Sequence, residues 1–465
     1  MDNRQYLTKD SVLERGREII GIPLRDIDSI GRLGSSKGDI GNLVEESWFG
    51  IKVNNDSEPD FKEAGVELKV TPYIYNRNGL RAKERLVCNI INYMEEHKNT
   101  FCTSRFWKKC NTILLMMYEH IYNMDKGDYF IDETVLFNFS SEDLAIIEQD
   151  WNYIISKVRN GKAHELSEGD TLYLGACTKG GKTTKPRQQP FSDIGAKQRA
   201  YSLKQSYMTY VLNNYIYGEE TPNNIIKDSN TLKSISFEDY INEKVSPYIG
   251  YSQQKLLQAF NIDTKAKHIN EIILSHILGV QGRVSATDEF KKANIIPKTI
   301  RVQKNGKIKE SMSFPEFSFS EIISEEWDDS QWKCYIESAK FLFVIFKENE
   351  EKNLIFDSIK FWNIPKVDLD EVGRVWQNTV DVIRRGVKLT LIGNRVTNDF
   401  PKSTDSEIAH VRPKSKYSAY RFDDVVIGSL KNADELPDGR WMTKQCFWFN
   451  NSYIQSIICG FDPKL

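Results

Sequence analysis

The chain has 465 residues, which exceeds the size of one ordinary hydrophobic core and predicts two or three domains. Hydrophobic residues make up 40% and charged residues 28%, which excludes a disordered protein, and the net charge of −2 excludes a globally basic nucleic-acid binder but not a local basic face. No apolar run approaches the roughly 18 residues that span a bilayer, and the N-terminus does not resemble a signal peptide, so a cytoplasmic protein without a membrane partner is expected.

The first informative element is a predicted helix in SSKGDIGNLVEESWFG, residues 35–50. Its apolar residues fall at helical spacing and form one packed face. Glu45 and Glu46 both flank that face, so either one can direct a carboxylate toward the strand that follows. Periodicity alone does not choose between them.

The next element, PDFKEAGVELK at residues 59–69, predicts a strand entered from a turn at Gly65. On a strand of period two, Glu67 and Lys69 share one face, and Asp60 lies on the approach to it. Two converging carboxylates form a hard oxygen site for Mg²⁺, and a neighbouring lysine can position or deprotonate an attacking water. This pattern is typical of metal-dependent phosphodiester hydrolysis, although an edge strand with a solvated Glu/Lys pair fits the motif equally well.

Lysines and aromatic residues recur further along the first half of the chain. SRFWKKCNTILL, residues 104–115, brings Lys109 to the start of a predicted β run at 112–118, where a phosphate contact is easy. A helix capped by Ser140 follows, and then a basic loop at 178–190 that contains no acidic residue. The aromatic segment RAYSLKQSYMTYV, residues 199–211, comes next. Its tyrosines fit either core packing or stacking on DNA, and core packing is favoured.

The chain contains a faint internal repeat. The helix beginning at Trp151 matches the one beginning at Trp376, and residues 60–70 match residues 289–299. The repeat predicts two tandem domains of mixed α+β (α/β) fold, each a mixed sheet flanked by helices. The predicted division is residues 1–217, a polar linker at 218–234, and residues 235–465.

The second copy lacks the catalytic pattern. Glu289 stands at the position of Asp60, but Ile296 stands at that of Glu67 and cannot hold Mg²⁺. In the segment that matches the glutamate-bearing helix, only Glu271 is available, displaced by about half a turn. We therefore expect the second copy not to cut DNA.

In this order, GNLVEESWFG, PDFKEAGVELK and SRFWKKCNT resemble the mismatch-repair endonuclease MutH. The resemblance to the two-domain Sau-type restriction endonucleases that cut GATC is closer, and it extends to KAHELSEGDTLYLGACTKG (162–180), RAYSLKQSYMT (199–209) and WMTKQCFWFN (441–450). It covers nearly the full length of the chain. It implies a restriction-endonuclease-like fold in both copies.

The resemblance also implies site residues. Asp60, Glu67 and Lys69 match the catalytic motif of the family without a gap, with two Mg²⁺ ligands, Asp60 and Glu67, and a lysine that helps to activate water. Lys109 falls on a further active-site lysine. The resemblance also implies one active-site glutamate on the helix. Alignment to the family from Gly41 forward places it at Glu45, whereas alignment from Trp48 backward places it at Glu46, because this chain has one extra residue between them. Glu45 is preferred because an insertion is easier at the helix end.

DNA-binding residues follow from the same resemblance. Lys179 falls near the DNA-reading loop of the family, and the segment RAYSLK supplies Tyr201, Ser202 and Lys204. Ser202 stands where MutH has an aromatic residue that discriminates against methylated adenine, so adenine-methylated GATC is expected to be cut. In the second copy, HVRPK is similar to the Arg-Pro-Lys that MutH uses near DNA and supplies Arg412 and Lys414.

The resemblance predicts a type II restriction endonuclease that hydrolyses both strands of double-stranded DNA at GATC with Mg²⁺. Residues 235–465 are expected to bind a second GATC duplex as an effector, in a monomer or a DNA-induced dimer. One alternative is a MutH-like nicking enzyme of mismatch repair, against which the two copies argue. The other is a GATC-binding protein without catalysis, against which the intact Asp60, Glu67 and Lys69 argue.

Overall fold

A computed structural model describes residues 6–34, 38–53, 58–76, 79–121, 124–180, 184–218, 223–264, 266 and 268–460. The chain divides into two compact units, of which the first comprises residues 1–244 and 278–296 and the second residues 245–277 and 297–465. The predicted linker at 218–234 therefore falls within the first unit, and part of the predicted second domain contributes to the first unit. The roles of the two domains stay predictions.

The helices and strands of the first half follow each other along the chain, with π-helical turns at Val44–Trp48 and Val211–Ile216. In chain order they are α1 (Lys9–Arg17), α2 (Leu24–Ile27), α3 (Asp39–Leu43), β1 (Glu67–Asn76), β2 (Gly79–Ala82), β3 (Leu86–Ile90), α4 (Tyr93–Glu96), α5 (Arg105–Cys110), β4 (Ile113–Glu119), β5 (Glu133–Phe137), α6 (Ser141–Arg159), β6 (Leu174–Thr178), β7 (Arg187–Gln189), β8 (Ser192–Ala196), β9 (Arg199–Leu203), α7 (Gln205–Tyr210) and α8 (Phe237–Val245).

The second half continues in the same mixed manner, and its helix α11 belongs to the first unit. Its elements are α9 (Gln253–Ala259), α10 (Ile269–Ile277), α11 (Asp288–Ala293), β10 (Ile295–Val302), β11 (Met312–Glu316), α12 (Phe319–Ile322), α13 (Gln331–Ser338), β12 (Lys340–Glu348), β13 (Leu354–Trp362), α14 (Lys366–Arg384), β14 (Thr390–Ile392), β15 (Arg395–Thr397), β16 (Ala409–Pro413), β17 (Tyr420–Phe422), β18 (Val425–Ile427), β19 (Ala433–Glu435), β20 (Trp441–Thr443), β21 (Gln445–Phe449) and α15 (Asn451–Cys459).

A mixed four-stranded sheet of order β2-β1-β4-β5 forms the centre of the first unit. Strand β1 pairs parallel with β4 and antiparallel with β2, and β4 pairs antiparallel with β5. The first five residues of β4, Ile113 to Met117, are fully buried, as expected for a strand covered on both faces. The predicted β runs at 65–70 and 112–118 are thus confirmed as β1 and β4.

Helix α6 buries its apolar stripe, as its spacing predicts, and lies against β6. The Ser140 hydroxyl accepts a hydrogen bond from the backbone N–H of Asp143 at 3.2 Å, which confirms the predicted cap. Trp151 is fully buried. The chain leaves the helix through Gly161 at φ 67°, where a Cβ would lie 2.5 Å from the carbonyl oxygen of Phe191, so only glycine fits there.

The internal repeat is visible in the topology of the two halves. The three-stranded sheet β3-β9-β6 has its counterpart in β11-β21-β16, and both sheets are antiparallel. Helices α6 and α14 both contain 19 residues, and Gly386 follows α14 at φ 89° as Gly161 follows α6. The predicted mixed α+β fold is confirmed. Among the helices of the described residues, none has the length and apolar character required to cross a membrane.

Candidate active site

Glu45 lies in the π-helical turn Val44–Trp48, which continues α3. In this turn the backbone N–H of Phe49 donates to the carbonyl of Val44, five residues earlier. A π-bulge absorbs one extra residue in a helix while the flanking turns keep their faces. The extra residue between Gly41 and Trp48, which left two counts possible in the sequence, is accommodated in this way.

The two neighbouring glutamates of this turn have different surroundings. Glu46 pairs with the guanidinium of Arg32. Glu45 instead lies within electrostatic range of Asp60 and Glu67. The structure therefore brings Glu45, and not Glu46, to the predicted catalytic residues.

Asp60 lies at the start of a tight turn that leads into β1. Phe61 and Val66 exchange two backbone hydrogen bonds across the turn, and Gly65 takes the left-handed conformation at φ 65° that the turn requires. Asp60 Oδ2 then accepts a hydrogen bond from the N–H of Leu68 at 3.0 Å, and the N–H of Asp60 donates to Glu67 Oε2 at 3.3 Å. The two carboxylates hold each other's chain segments in place.

Strand β1 carries Glu67 and Lys69 on one face, as its alternation predicts. Glu67 is 1% exposed, and the Nζ of Lys69 donates to its Oε1 at 2.6 Å. The backbone N–H of Glu67 donates to the carbonyl of Thr112, which precedes β4. This contact with the parallel neighbouring strand fixes the position of Glu67 and Lys69 along the sheet. The predicted solvated Glu/Lys pair is wrong, because Glu67 is buried and its carboxylate accepts a hydrogen bond from Lys69 inside the protein.

Lys109 reaches the same carboxylates from α5. That helix begins at the cap Ser104, whose hydroxyl accepts from the N–H of Trp107 at 3.0 Å. Lys109 Nζ lies 3.5 Å from Glu67 Oε1 and 3.9 Å from Asp60 Oδ1. Asp60, Glu67, Lys69 and Lys109, which are separated by up to 49 positions in sequence (109 − 60), thus form one cluster.

With Glu45, which is within electrostatic range of the other four, the cluster contains three acidic and two basic groups. Burial, followed by the charges of Asp60 and Glu67, raises the pKa of Glu45 to about 7. Burial also raises the pKa of Glu67 to about 7, although Lys69 opposes this. Burial alone would lower the pKa of Lys69, but the adjacent Glu67 carboxylate more than offsets it and the pKa is raised, so the ammonium form persists.

This arrangement fits a hard divalent cation. Burial disfavours the ionised forms of Glu45 and Glu67 near neutral pH, so an additional positive charge would stabilise them, and Asp60 Oδ1 and Glu67 Oε1 both lie within 4 Å of the Lys109 ammonium. Within the described part of the chain, however, no three His, Cys, Asp or Glu side chains converge closely enough to hold a metal ion unaided. A cation here would keep several of its waters, as Mg²⁺ does.

A contact between Arg15 and Trp48, which was not predicted from the sequence, stabilises the turn that carries Glu45. The guanidinium of Arg15 lies 3.7 Å from the centre of the Trp48 ring, and its Nη2 donates to the Trp48 carbonyl at 2.9 Å. The indole Nε1 of Trp48 donates in return to the carbonyl of Arg15 at 2.9 Å. A bidentate stack of this kind fixes both position and rotation of the turn. The only sequence signal for it was the extra residue before Trp48.

The predicted DNA-binding residues of the first unit are not equally accessible. Lys179 is half-buried at the start of the basic loop 178–190, of which residues 181–183 lie outside the described part of the chain. Tyr201, Ser202 and Lys204 are at most 1% exposed, and the Lys204 ammonium donates to the carbonyl of Thr171. Direct DNA contact by these three is not supported by this conformation. Tyr201 packs in the core, with its ring 5.6 Å from that of Phe106, which confirms the favoured interpretation.

The predicted residues of the second unit lie at a surface. Arg412 and Lys414 are exposed at the end of β16. The guanidinium of Arg412 lies 4.0 Å from the centre of the Trp448 ring, and the Trp448 indole donates to the carbonyl of Arg412 at 3.1 Å. Arg412 is thus held in place while its guanidinium remains accessible.

The chain is similar in sequence to known proteins of DNA restriction and DNA mismatch repair. The family model described as "DNA mismatch repair enzyme MutH" matches residues 49–150, which include all the cluster residues except Glu45. The chain is 41% identical to the type II restriction enzyme Sau3AI of Staphylococcus aureus, over 97% of this chain and 99% of that enzyme. It is 27% identical to the DNA mismatch repair protein MutH of Shewanella woodyi, over 36% of this chain and 74% of that protein.

Proposed function

Because this chain belongs to the family of MutH-related type II restriction enzymes, a site-specific endonuclease family, we propose that it cuts both strands of double-stranded DNA at GATC. The observation that supports catalysis most directly is the cluster of Asp60, Glu67, Lys69 and Lys109, with the Lys69–Glu67 contact at 2.6 Å. Lysines beside paired carboxylates are the set of groups that hydrolysis of a phosphodiester requires.

In this proposal Asp60 and Glu67 hold Mg²⁺, which when bound supplies positive charge to the phosphate oxygens and lowers the pKa of its water. Lys69 acts as an ammonium group rather than as a base, because its pKa is raised by Glu67. Its charge offsets the negative charge that develops on the phosphate, and Lys109, 3.5 Å from the same Glu67 oxygen, adds to this.

Glu45 completes the proposed site. Its pKa of about 7 suits the uptake of a proton from an attacking water near neutral pH, where both protonation states are populated. Neither lysine is required to accept that proton. The buried environment strengthens every one of these charge interactions.

The catalytic proposal is tested with Asp60→Ala, Glu67→Ala and Lys69→Ala. Each should abolish cleavage of GATC-bearing supercoiled plasmid in Mg²⁺ while duplex binding persists, since these groups serve chemistry rather than base recognition. Glu63→Ala, which removes an exposed carboxylate from the same turn, is the matched control and should cut normally. Near-normal cleavage by any of the three variants would contradict the proposal.

The products separate the alternatives. Discrete linear fragments support restriction at GATC, and sequencing their ends tests the site. Nicked circles alone support a MutH-like nicking enzyme, whereas an uncut but shifted plasmid supports a binding protein without catalysis. The intact cluster favours the first outcome.

We further propose that residues 235–465 bind a second GATC duplex as an effector. The exposed Arg412 on its Trp448 support favours DNA binding there. A plasmid with one GATC site should be cut slowly, and a short uncleavable GATC duplex added in trans should accelerate it, because an effector that favours the active state must raise activity. Arg412→Ala should reduce the acceleration. Equal rates on one-site and two-site plasmids, with no effect of the duplex, would contradict the effector role.

A further inference from the structure

The second copy contains a structural counterpart of the catalytic strand. Strand β1 begins just after Gly65, at φ 65°, and β10 begins just after Asn294, at φ 53°. Asparagine is one of the few residues besides glycine that adopts this left-handed conformation readily. Counted from these two residues, Ile296 occupies the position of Glu67, and Lys298 occupies the position of Lys69.

The helix that carries Lys109 also has a counterpart. Ser104 caps α5 and donates its hydroxyl hydrogen to the carbonyl of Phe101; Ser330 caps α13 and donates to the carbonyl of Trp327 in the same way. Counted from these caps, Tyr335 stands at the position of Lys109. The second copy thus keeps the lysine of the strand and loses Glu67 and the helix lysine.

The counterpart of Asp60 is engaged elsewhere. The carboxylate of Glu289 is buried and accepts hydrogen bonds from the backbone N–H groups of Ile225, at 2.9 and 3.0 Å, and of Ile226, at 2.9 Å. These contacts all lie within the first unit. Glu289 therefore supports the fold rather than a cation site.

Lys298 is left in an unusual environment. It is half-buried in β10, and within the described residues no carboxylate pairs with it. Burial and the charge of Lys414 lower the pKa of Lys298. A partly desolvated ammonium group within electrostatic range of a second ammonium is destabilising unless an anion joins them.

The surroundings of this pair are predominantly basic. Cys446 lies within electrostatic range of Lys414 and Arg412, so the three cationic side chains border one region of the second unit. The acidic side chain near this region is Glu316, which faces Cys446 across the β11–β21 pairing. Among the described residues that interact electrostatically with Lys298 and Cys446, the basic side chains outnumber the one carboxylate, so this region is positively charged.

We propose that Lys298 and Lys414 form a site for one phosphodiester group of a DNA backbone, which they bind directly and without a metal ion. This inference rests on the proposed binding of an effector duplex by residues 235–465. The position that holds a cation in the first copy has become an anion site in the second, because the carboxylates have gone and the lysine remains. Such a contact positions the duplex but reads no base.

The test uses the full chain with Lys298→Met, which keeps the length and apolar stem of the side chain and removes its charge. The matched control is Arg301→Met in the same strand, since the charge of Arg301 is already neutralised by Glu348. The probe is a short GATC duplex with uncleavable linkages, and the readout is the duplex concentration that gives half-maximal acceleration of one-site plasmid cleavage, relative to each variant's own unstimulated rate.

For Lys298→Met we expect a half-maximal concentration higher by roughly 10-fold, as for the loss of one charged hydrogen bond. The slope of log affinity against log salt should fall by about 1, whatever the sequence of the duplex. Arg301→Met should behave as wild type. A single uncharged methylphosphonate linkage in the duplex should weaken the wild type at one backbone position and have no further effect on Lys298→Met.

Three outcomes are distinguishable. If the duplex accelerates wild type and Lys298→Met at the same concentration, the phosphate site is overturned while the effector role stands. If the duplex does not accelerate wild type, the effector role itself has failed. A folding defect would be recognised by a lowered Tm. The Tm of Lys298→Met should equal or exceed that of the wild type, because the variant removes an unpaired, desolvated charge. A variant that folds and loses acceleration supports the site.

Discussion

At the scale of single residues, the contrast between Glu45 and Glu46 shows how one inserted residue is absorbed. The π-helical turn Val44–Trp48 rotates the chain so that Glu45 faces the carboxylates while Glu46 pairs with Arg32. The stacking and hydrogen bond between Arg15 and Trp48 stabilise this orientation of the turn. The adjacent positions therefore have different surroundings despite identical chemistry.

Glutamine substitution separates these two positions. Glu45→Gln should lower the rate of DNA cleavage by at least roughly 100-fold, the usual minimum for loss of a general acid–base group. Glu46→Gln removes only an exposed ion pair and should cut nearly as fast as wild type. Single-turnover cleavage of plasmid DNA measures both. The reverse pattern would show that the catalytic carboxylate is Glu46.

The raised pKa values also make the stability of the metal-free protein depend on pH. Glu45 and Glu67 both have a pKa of about 7 in the folded chain, against an ordinary value of 4.5. Because the folded state then holds protons that the unfolded state has lost, the free energy of unfolding should fall as pH rises from about 4.5 to about 7.

Urea unfolding in a chelator measures this effect, and Glu45→Gln should flatten the dependence. Added Mg²⁺ should stabilise the wild type more at pH 8 than at pH 5, since the carboxyl groups must be deprotonated to bind it. A metal-free protein that becomes steadily more stable from pH 4.5 to 7 would contradict the assigned environments.

At the scale of elements, Asp150 links helix α6 to the start of strand β6. Its carboxylate is buried and accepts the backbone N–H groups of Leu172, Tyr173 and Leu174 at 2.6–2.8 Å. The three donors precede or begin β6, so this contact sets where the strand enters its sheet. A single side chain thereby fixes the spacing between a helix and a strand.

Removing the Asp150 carboxylate should destabilise the folded protein. Asp150→Ala leaves three buried N–H donors without a partner and should lower the free energy of unfolding by about 3–5 kcal/mol. Glu148→Ala, an exposed position of the same helix, is the control and should change it by less than about 0.5 kcal/mol. Equilibrium urea unfolding compares them. Equal stability of the two variants would show that water replaces the carboxylate.

Local elements were more predictable than their assembly. Strand β1 and the cap of α6 were predicted because alternation and capping act over a few residues. Periodicity could not choose between Glu45 and Glu46, and the preference for Glu45 rested on the family resemblance, because the π-helical turn depends on packing against Arg15, which lies 30 residues away (45 − 15). The burial of Tyr201 and Lys204 likewise depends on distant partners, which the local basic and aromatic pattern does not reveal.

At the scale of the whole molecule, helix α11 connects the sequence repeat to the first unit. Lys292 of α11 forms a buried ion pair with Asp143 of α6 at 2.7 Å. Ser206 of α7 donates to the carbonyl of Lys292, and Tyr210 donates to Asp288 at 2.8 Å. A segment that sequence similarity assigns to the second copy is therefore part of the core of the first unit.

This arrangement predicts that a fragment ending at residue 234 folds poorly. It lacks α11 and leaves the Asp143 carboxylate buried without Lys292, a loss worth about 3–5 kcal/mol by itself. A fragment of residues 1–296 restores these contacts and should unfold cooperatively at a higher temperature. Thermal unfolding and limited proteolysis compare the two. Equal stability would support the boundary predicted at 218–234.

The late position of α11 also has a consequence for the order of events during synthesis. A ribosome adds roughly 5–20 residues per second, so the 79 residues between positions 217 and 296 (296 − 217) take roughly 4–16 s. Throughout that interval the strands of the nuclease have been made, while the helix that packs against α7 and pairs with α6 has not. A nascent chain therefore does not present a finished nuclease until well over half of it has been translated, and a premature stop before α11 yields a product exposed to proteolysis rather than an active DNA-cutting fragment.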